Sequence, residues 1–225
     1  MSAPELLYPG YAALTGPNAA FAESRGNVVR YLPEVAPFLA LPPEPTEQDW
    51  ADAATLLGPG TTGAIMSPDF VLPESFKLDQ QFDLVQFVAP EGLAAADDEA
   101  VALTADDVPE MVALVALTDP GPFRTRTIEL GPYLGIRRNG ELIAMAGVRQ
   151  TLPSYAEISA VCTHPDHRGQ GLARRLIRAI AGEITATGRT PFLHTGGTNV
   201  TAQRLYTAMG FTVSNRMKVT IIEAV

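Results

Sequence analysis

A single cysteine, Cys162, leaves no partner for an internal disulfide, so a covalent framework is excluded and the fold must rest on its core. Positive charge is also short: 16 Lys and Arg stand against 25 Asp and Glu, a net charge of -9 and a pI near 4.8. Such a field repels polyphosphate backbones, so no nucleic-acid partner is expected. No apolar run approaches the roughly 18 residues of a membrane-spanning helix, and no membrane partner is expected. The start MSAPELLYPG has neither the basic residues nor the apolar stretch of a signal peptide, which predicts a cytoplasmic protein. Histidine is scarce too. His164 and His167 flank a Pro-Asp loop without a companion cysteine, so they read as loop residues and no metal is expected. What remains is ordinary for a globular chain able to bury a full core, with 46% hydrophobic and 18% charged residues.

Closely spaced prolines among residues 1–43 forbid long helices, leaving short pieces such as a helix near 11–24 and a strand over 27–31. Thr46 is placed to cap a helix that turns Trp50, Ala54 and Leu57 inward and stops at Gly58. Residues 62–66 and 82–88 alternate or run apolar as strands do, with Phe82, Leu84, Gln86 and Val88 on one face. Small and acidic residues over 90–99 read as a solvated linker, which divides an N-terminal accessory subdomain (1–95) from a second domain (96–225). Beyond it come a short strand at 100–103 and a helix opened by Thr104 and Asp107. Next is a hairpin turned by Asn139-Gly140, the strongest short-range hairpin signal.

The most informative stretch is 156–175, AEISAVCTHPDHRGQGLARR: a strand, a loop, then glycines opening a helix. Period two sets Glu157, Ser159 and Val161 on one strand face. Unpaired N–H groups and partial positive charge at a helix start make this entry an anion cradle. Leu172, Leu176, Ile180 and Ile184 form its inward stripe, while Arg174, Arg175 and Arg178 are left for solvent or a phosphate. A strand at 191–194 follows, then a helix capped by Asn199 that carries Tyr206 and ends at Gly210. Residues 211–213 and 217–222 are expected to close the sheet as a last hairpin. Cys162, alone on an apolar strand, reads as a small core residue rather than a nucleophile, and His194 as a satisfied histidine near a strand end. No lysine with a following Ser or Thr comes after Gly171, which disfavours a P-loop.

Arg168, Gly171 and Ala173 in this strand-loop-helix context, with Asn199 through Leu205-Tyr206 to Gly210-Phe211 near the end, resemble the GNAT superfamily of acyl-CoA N-acyltransferases over about 100–225. The resemblance implies an α+β fold: a mixed, mostly antiparallel sheet with a splayed central strand pair flanked by helices, preceded by a smaller N-terminal α/β subdomain. It implies acetyl-CoA as cosubstrate. Arg168, Gly169, Gln170, Gly171, Leu172, Ala173 and Arg174 would hold the pyrophosphate. The backbone of Val161, Cys162 and Thr163, on a strand that bulges and splays from its neighbour, would pair with the pantetheine arm, and Asn199 would touch it. Tyr206 would protonate the departing thiolate. Glu157 is the candidate base, acting through water, because a carboxylate on an apolar strand is expected to have its pKa raised; the alternative for it is a structural partner for an arginine. The implied function is N-acetyl transfer to a primary amine of a small molecule, an amino acid or a protein, by direct attack in a ternary complex. A homodimer is allowed. The alternative is a non-catalytic acyl-CoA-binding sensor or scaffold of the same fold. Residues 117–127, 150–155 and the N-terminal half are expected to build the acceptor side.

Overall fold

The computed structural model describes residues 3–225. The N-terminal part comprises α1 (Pro4–Leu7), α2 (Pro9–Leu14), β1 (Ala22–Arg25), β2 (Val28–Tyr31), β3 (Leu39–Ala40), α3 (Glu47–Leu57), β4 (Thr62–Ser67) and β5 (Phe76–Val88). Then follow β6 (Val101–Ala102), α4 (Val108–Thr118), β7 (Tyr133–Arg138), β8 (Glu141–Thr151), β9 (Tyr155–Thr163), α5 (Leu172–Ala186), β10 (Thr190–Gly196), α6 (Val200–Ala208) and β11 (Thr212–Ala224). Strands β1 to β3 form a small sheet, and the other eight form one sheet ordered β4-β11-β5-β10-β9-β8-β7-β6. Strands from both sides of residue 95 share that large sheet. It is antiparallel throughout except for β9 and β10, which run parallel.

Local chemistry explains most boundaries. Thr46 and Asp49 close a reciprocal capping box on α3, the Thr46 hydroxyl accepting from the Asp49 N–H at 3.2 Å and the Asp49 carboxylate from the Thr46 N–H at 2.8 Å. Asn139 and Gly140 both take positive φ, 53° and 88°, making the two-residue turn between β7 and β8. One face of the sheet packs on α5 through Leu172, Leu176, Ile177, Ile180 and Ile184. The same core takes in Tyr206, Met209 and Phe211.

Three sequence expectations change here. The helix placed at 11–24 is shorter, because α2 ends at Leu14, ahead of Pro17, and a strand begins at Ala22. The closing hairpin is instead one strand, β11, which keeps pairing with β5 across a bulge at Ser214. That bulge brings the Ser214 hydroxyl and the Asn215 amide onto the buried Gln86 carbonyl oxygen at 2.7 and 2.6 Å. The solvated linker is held down: Arg175 donates to both Asp97 oxygens at 2.6 Å and pairs with Glu99, which also pairs with Arg138.

Candidate active site

Strands β9 and β10 pair from Thr190↔Tyr155 only as far as Leu193↔Ile158. Both run on, to Thr163 and Gly196, so from Ser159 onward the β10 side of β9 has no neighbouring strand. A bulge sits at the point of separation. Gly147 opposes Ser159 and Met145 opposes Cys162, so one residue of β8, Ala146, faces two of β9, Ala160 and Val161, and Ala160 takes φ 51°. The bulge also shifts the faces. Val161 joins the core beneath α5, whereas Ala160 and Cys162 pack toward α4, so Val161 does not share a face with Glu157 as simple period two required. Cys162 is buried, and burial pushes its thiol up to about 11, which suits a core residue and not a nucleophile.

At the far end of β9 the loop turns into α5. Gly169 and Gly171 take φ 77° and 76°, conformations that glycine adopts freely, and a Cβ built on either would project into open space. The first turn of α5 carries no side-chain cap, leaving its amide donors for an anion. Arg168 donates to the Thr163 carbonyl at 3.4 Å and Arg178 to the Leu93 carbonyl at 3.1 Å. Arg174 and Arg178 are exposed, and with Arg175 tied to Asp97 and Glu99 and Arg178 to Leu93, Arg174 is the one of the three without a hydrogen bond or ion pair among the described residues.

The splay opens into a cavity of about 730 Å³. Ser159, Ala160 and Val161 line it from β9, Thr195 and Gly196 from β10, and Asn199, Ala202 and Tyr206 from the α6 end. The Asn199 side chain accepts from the Ala202 N–H at 3.1 Å and so fixes the start of α6. The Tyr206 ring is held between Phe87 and Phe211, with centroids 5.7 and 5.8 Å away, and burial pushes its phenol up to about 12. Among the expected acceptor-side segments, 119–124 reaches the cavity. Residues 150–155 do not; Leu152 is buried against Leu6, Ala13 and Phe192 instead.

Glu157 departs most from expectation. It is 1% exposed and forms a two-pronged ion pair with Arg149, at 2.7 and 3.1 Å, and a 2.8 Å hydrogen bond with His194 Nδ1. Burial alone would push the carboxyl up, but the Arg149 charge and the His194 contact outweigh it and hold it at about 2. The raised pKa foreseen from the apolar strand is therefore reversed. The network continues: Gln86 Nε2 meets His194 Nε2 at 3.0 Å and donates to the Leu6 carbonyl at 2.9 Å. Since an amide nitrogen only donates, His194 accepts through Nε2 and donates through Nδ1 to Glu157. Neither Arg149 nor Gln86 was given a place in the site from the sequence, although Arg149, directly after the apolar run 142–148, faces Glu157 across the β8–β9 turn, a cross-strand charge pairing that could have been sought.

A bulged strand thus diverges from a parallel neighbour, with a glycine-rich helix start at one end and a partly open cavity at the other. Residues 133–219 match the family model described as FR47-like protein. A GNAT-family protein of Novosphingobium aromaticivorans has a crystal structure that superimposes with a TM-score of 0.91 at 35% identity, over 99% of this chain and 100% of that one. A GCN5-related N-acetyltransferase from Kribbella flavida shares the fold at a TM-score of 0.63 and 14% identity, over 99% and 96% of the two chains. The N-alpha-acetyltransferase RimI of Mycobacterium tuberculosis is 32% identical over 82 residues, 35% of this chain and 51% of that protein. The chain thus spans about half the length of this curated relative. It belongs to the GNAT family of acetyltransferases.

Proposed function

We propose that the protein is an acetyl-CoA-dependent N-acetyltransferase acting on a primary amine by direct attack within a ternary complex. The observation that carries this reading is the edge of β9 left unpaired from Ser159 onward, which borders the cavity beside Tyr206 at one end and leads to the glycine turn before α5 at the other. In this reading the amides of 170–174, with Arg168 and Arg174, hold the pyrophosphate, and the backbone of Val161, Cys162 and Thr163 pairs with the pantetheine arm as an added strand. Asn199 borders the same arm. Both reactants are fixed in one cavity, which replaces a bimolecular encounter.

The neutral amine nitrogen attacks the thioester carbonyl carbon, a C–N bond forms and the C–S bond breaks. Tyr206 gives its phenolic proton to the leaving sulfur, and the surplus proton on nitrogen passes to water, from which the phenolate is restored. Amide and free thiol are the products. Glu157, held ionised, keeps Arg149 and His194 in register on the cavity wall, and any proton it receives comes through water. The presence of both Glu157 and Tyr206 in the cavity lining favours this reading over a sensor that binds acyl-CoA without turnover.

Free thiol released from acetyl-CoA across a panel of primary amines tests it. Tight acetyl-CoA binding with no thiol release from any amine would favour the sensor instead. Gly171→Asn, which tolerates positive φ but sets a side chain in the cradle, is expected to raise the acetyl-CoA KM about tenfold, with kcat and the unfolding midpoint little changed. The pH profile follows from the two shifted groups. Glu157 at about 2 stays ionised and Tyr206 at about 12 stays protonated between pH 5 and 10. The kcat/KM is expected to rise with pH only as the acceptor amine loses its proton, with the inflection moving when the acceptor is changed. An inflection that stays fixed across acceptors and disappears in Glu157→Gln would restore Glu157 as the titrating base.

A further inference from the structure

Gln86 on β5 is fully buried, and every hydrogen-bonding position it has is used. Its Oε1 accepts from the Ser214 hydroxyl at 2.7 Å and from the Asn215 amide at 2.6 Å, while its Nε2 donates to the Leu6 carbonyl at 2.9 Å and meets His194 Nε2 at 3.0 Å. Two lone pairs and two N–H hydrogens thus have four partners. The Leu6 carbonyl decides which way round the amide lies. A carbonyl oxygen only accepts, so turning the Gln86 amide over would set oxygen against oxygen there. Leu6 is itself held: its side chain is buried among Ala13, Leu152 and Phe192, and the neighbouring Glu5 carboxylate accepts from the Ser154 N–H at 3.2 Å. The N-terminal segment therefore reaches the network of Arg149, Glu157 and His194, which line the cavity, through one backbone carbonyl.

We infer that Gln86, anchored by Leu6, is a positioning residue that keeps His194 an uncharged imidazole by filling the lone pair of Nε2, and so leaves this part of the cavity wall without net charge. Its consequence for turnover rests on the acetyltransferase reading above. The His194 side chain is 4% exposed and donates through Nδ1 to Glu157 at 2.8 Å. A carboxylate so close favours a charged imidazole. The second proton would have to go to Nε2, where a Gln86 N–H already points, and two N–H groups would then face each other. The lost hydrogen bond and the burial of a further charge both oppose it. The remaining groups around this network have fixed charges. Arg149 and Glu157 form an ion pair, and Tyr31 and Tyr133, in the field of that pair, keep their protons because burial pushes both phenols well up. With His194 neutral the sum is zero. In the reaction proposed above the attacking nitrogen turns positive as the C–N bond forms, and a charged His194 on the same cavity wall would oppose it.

The first test needs no acceptor. The chain has three histidines, so NMR of the full chain with isotope-labelled ring nitrogens resolves them, and loss of one set in His194→Asn assigns His194. Near neutral pH His194 is expected to carry a proton on Nδ1 and none on Nε2. A proton on Nε2 in the parent would overturn the inference, and this spectrum alone decides if the variant does not fold. Gln86→Met, of similar volume, removes the donor, and Nε2 is then expected to take up a proton at the same pH. An Nε2 that stays bare in the variant would also overturn the inference, since something other than Gln86 would hold the proton off. The second test is thiol release from acetyl-CoA with an amine that the parent turns over. Gln86→Met is expected to lower kcat/KM about tenfold near neutral pH and to regain the parent's value as pH rises and His194 loses the extra proton. A loss that is equal at every pH would mark Gln86 as a packing residue and overturn the inference. If no amine is turned over, the acetyltransferase reading falls, while the nitrogen spectra still decide the part played by Gln86.

Discussion

Replacing Arg149 with alanine is expected to lower the unfolding free energy by about 3–5 kcal/mol, the scale for stranding a buried charge. Arg149 is 7% exposed and Glu157 1%, so neither can turn to water when its partner is lost. The guanidinium also lies over the Phe38 ring, 4.9 Å from its centroid, so the truncation loses packing as well as charge. Urea unfolding monitored by circular dichroism measures the loss. The double replacement Arg149→Met with Glu157→Gln removes both charges at similar volume and should recover much of it. The pH dependence has a defined sign. Glu157 is depressed from its ordinary 4.5 to about 2 in the folded protein. The stability it contributes is therefore fully present above the unfolded value near 4.5 and is lost as pH falls from there through about 2. In Arg149→Ala that window should move upward, because the stranded carboxyl protonates more readily. An alanine variant as stable as the parent at neutral pH would mean that the pair is not the keystone of the cavity wall.

Tyr206→Phe is expected to reduce kcat by about 10²–10⁴, the contribution of a positioned general acid, while leaving acetyl-CoA affinity unaltered. The ring contacts with Phe87 and Phe211 survive this change, so packing is retained and the hydroxyl alone is removed. Thiol release at saturating acetyl-CoA and amine gives kcat, and calorimetry gives the affinity. If turnover in the phenylalanine variant matches the parent, the thiolate takes its proton from water and Tyr206 is a packing residue only.

Much of this architecture was legible locally. The Asn139-Gly140 turn, the Thr46 cap, the Asn199 cap and the inward stripe of α5 each follow from short-range chemistry, and each stands where the residues indicated. The glycine turn before α5, with Gly169 and Gly171 at positive φ, was legible for the same reason. Period two failed where an extra residue entered a strand: the bulges at Ala160 and Ser214 depend on what the neighbouring strand offers, not on the residues themselves. Electrostatics failed for a related reason. For Glu157 burial was weighed above an arginine partner, and neither Arg149, across a turn, nor His194, on a separate strand, could be named as the partner. Desolvation is visible in a strand's composition, whereas the charge that opposes it is visible only when strands are paired.

The strand order has a consequence for how the chain assembles. β5 lies between β10 and β11, so most of its ladder partners are the last strands to be synthesised. On a ribosome, β4 and β5 emerge early and wait with open edges until the C-terminal strands arrive. Sheet closure is therefore a late, long-range event, and such topologies fold slowly and expose sticky edges in the interval. The charged outer half of β5, with Lys77, Asp79 and Asp83 among its exposed residues, gives that waiting edge a guard against pairing with another chain.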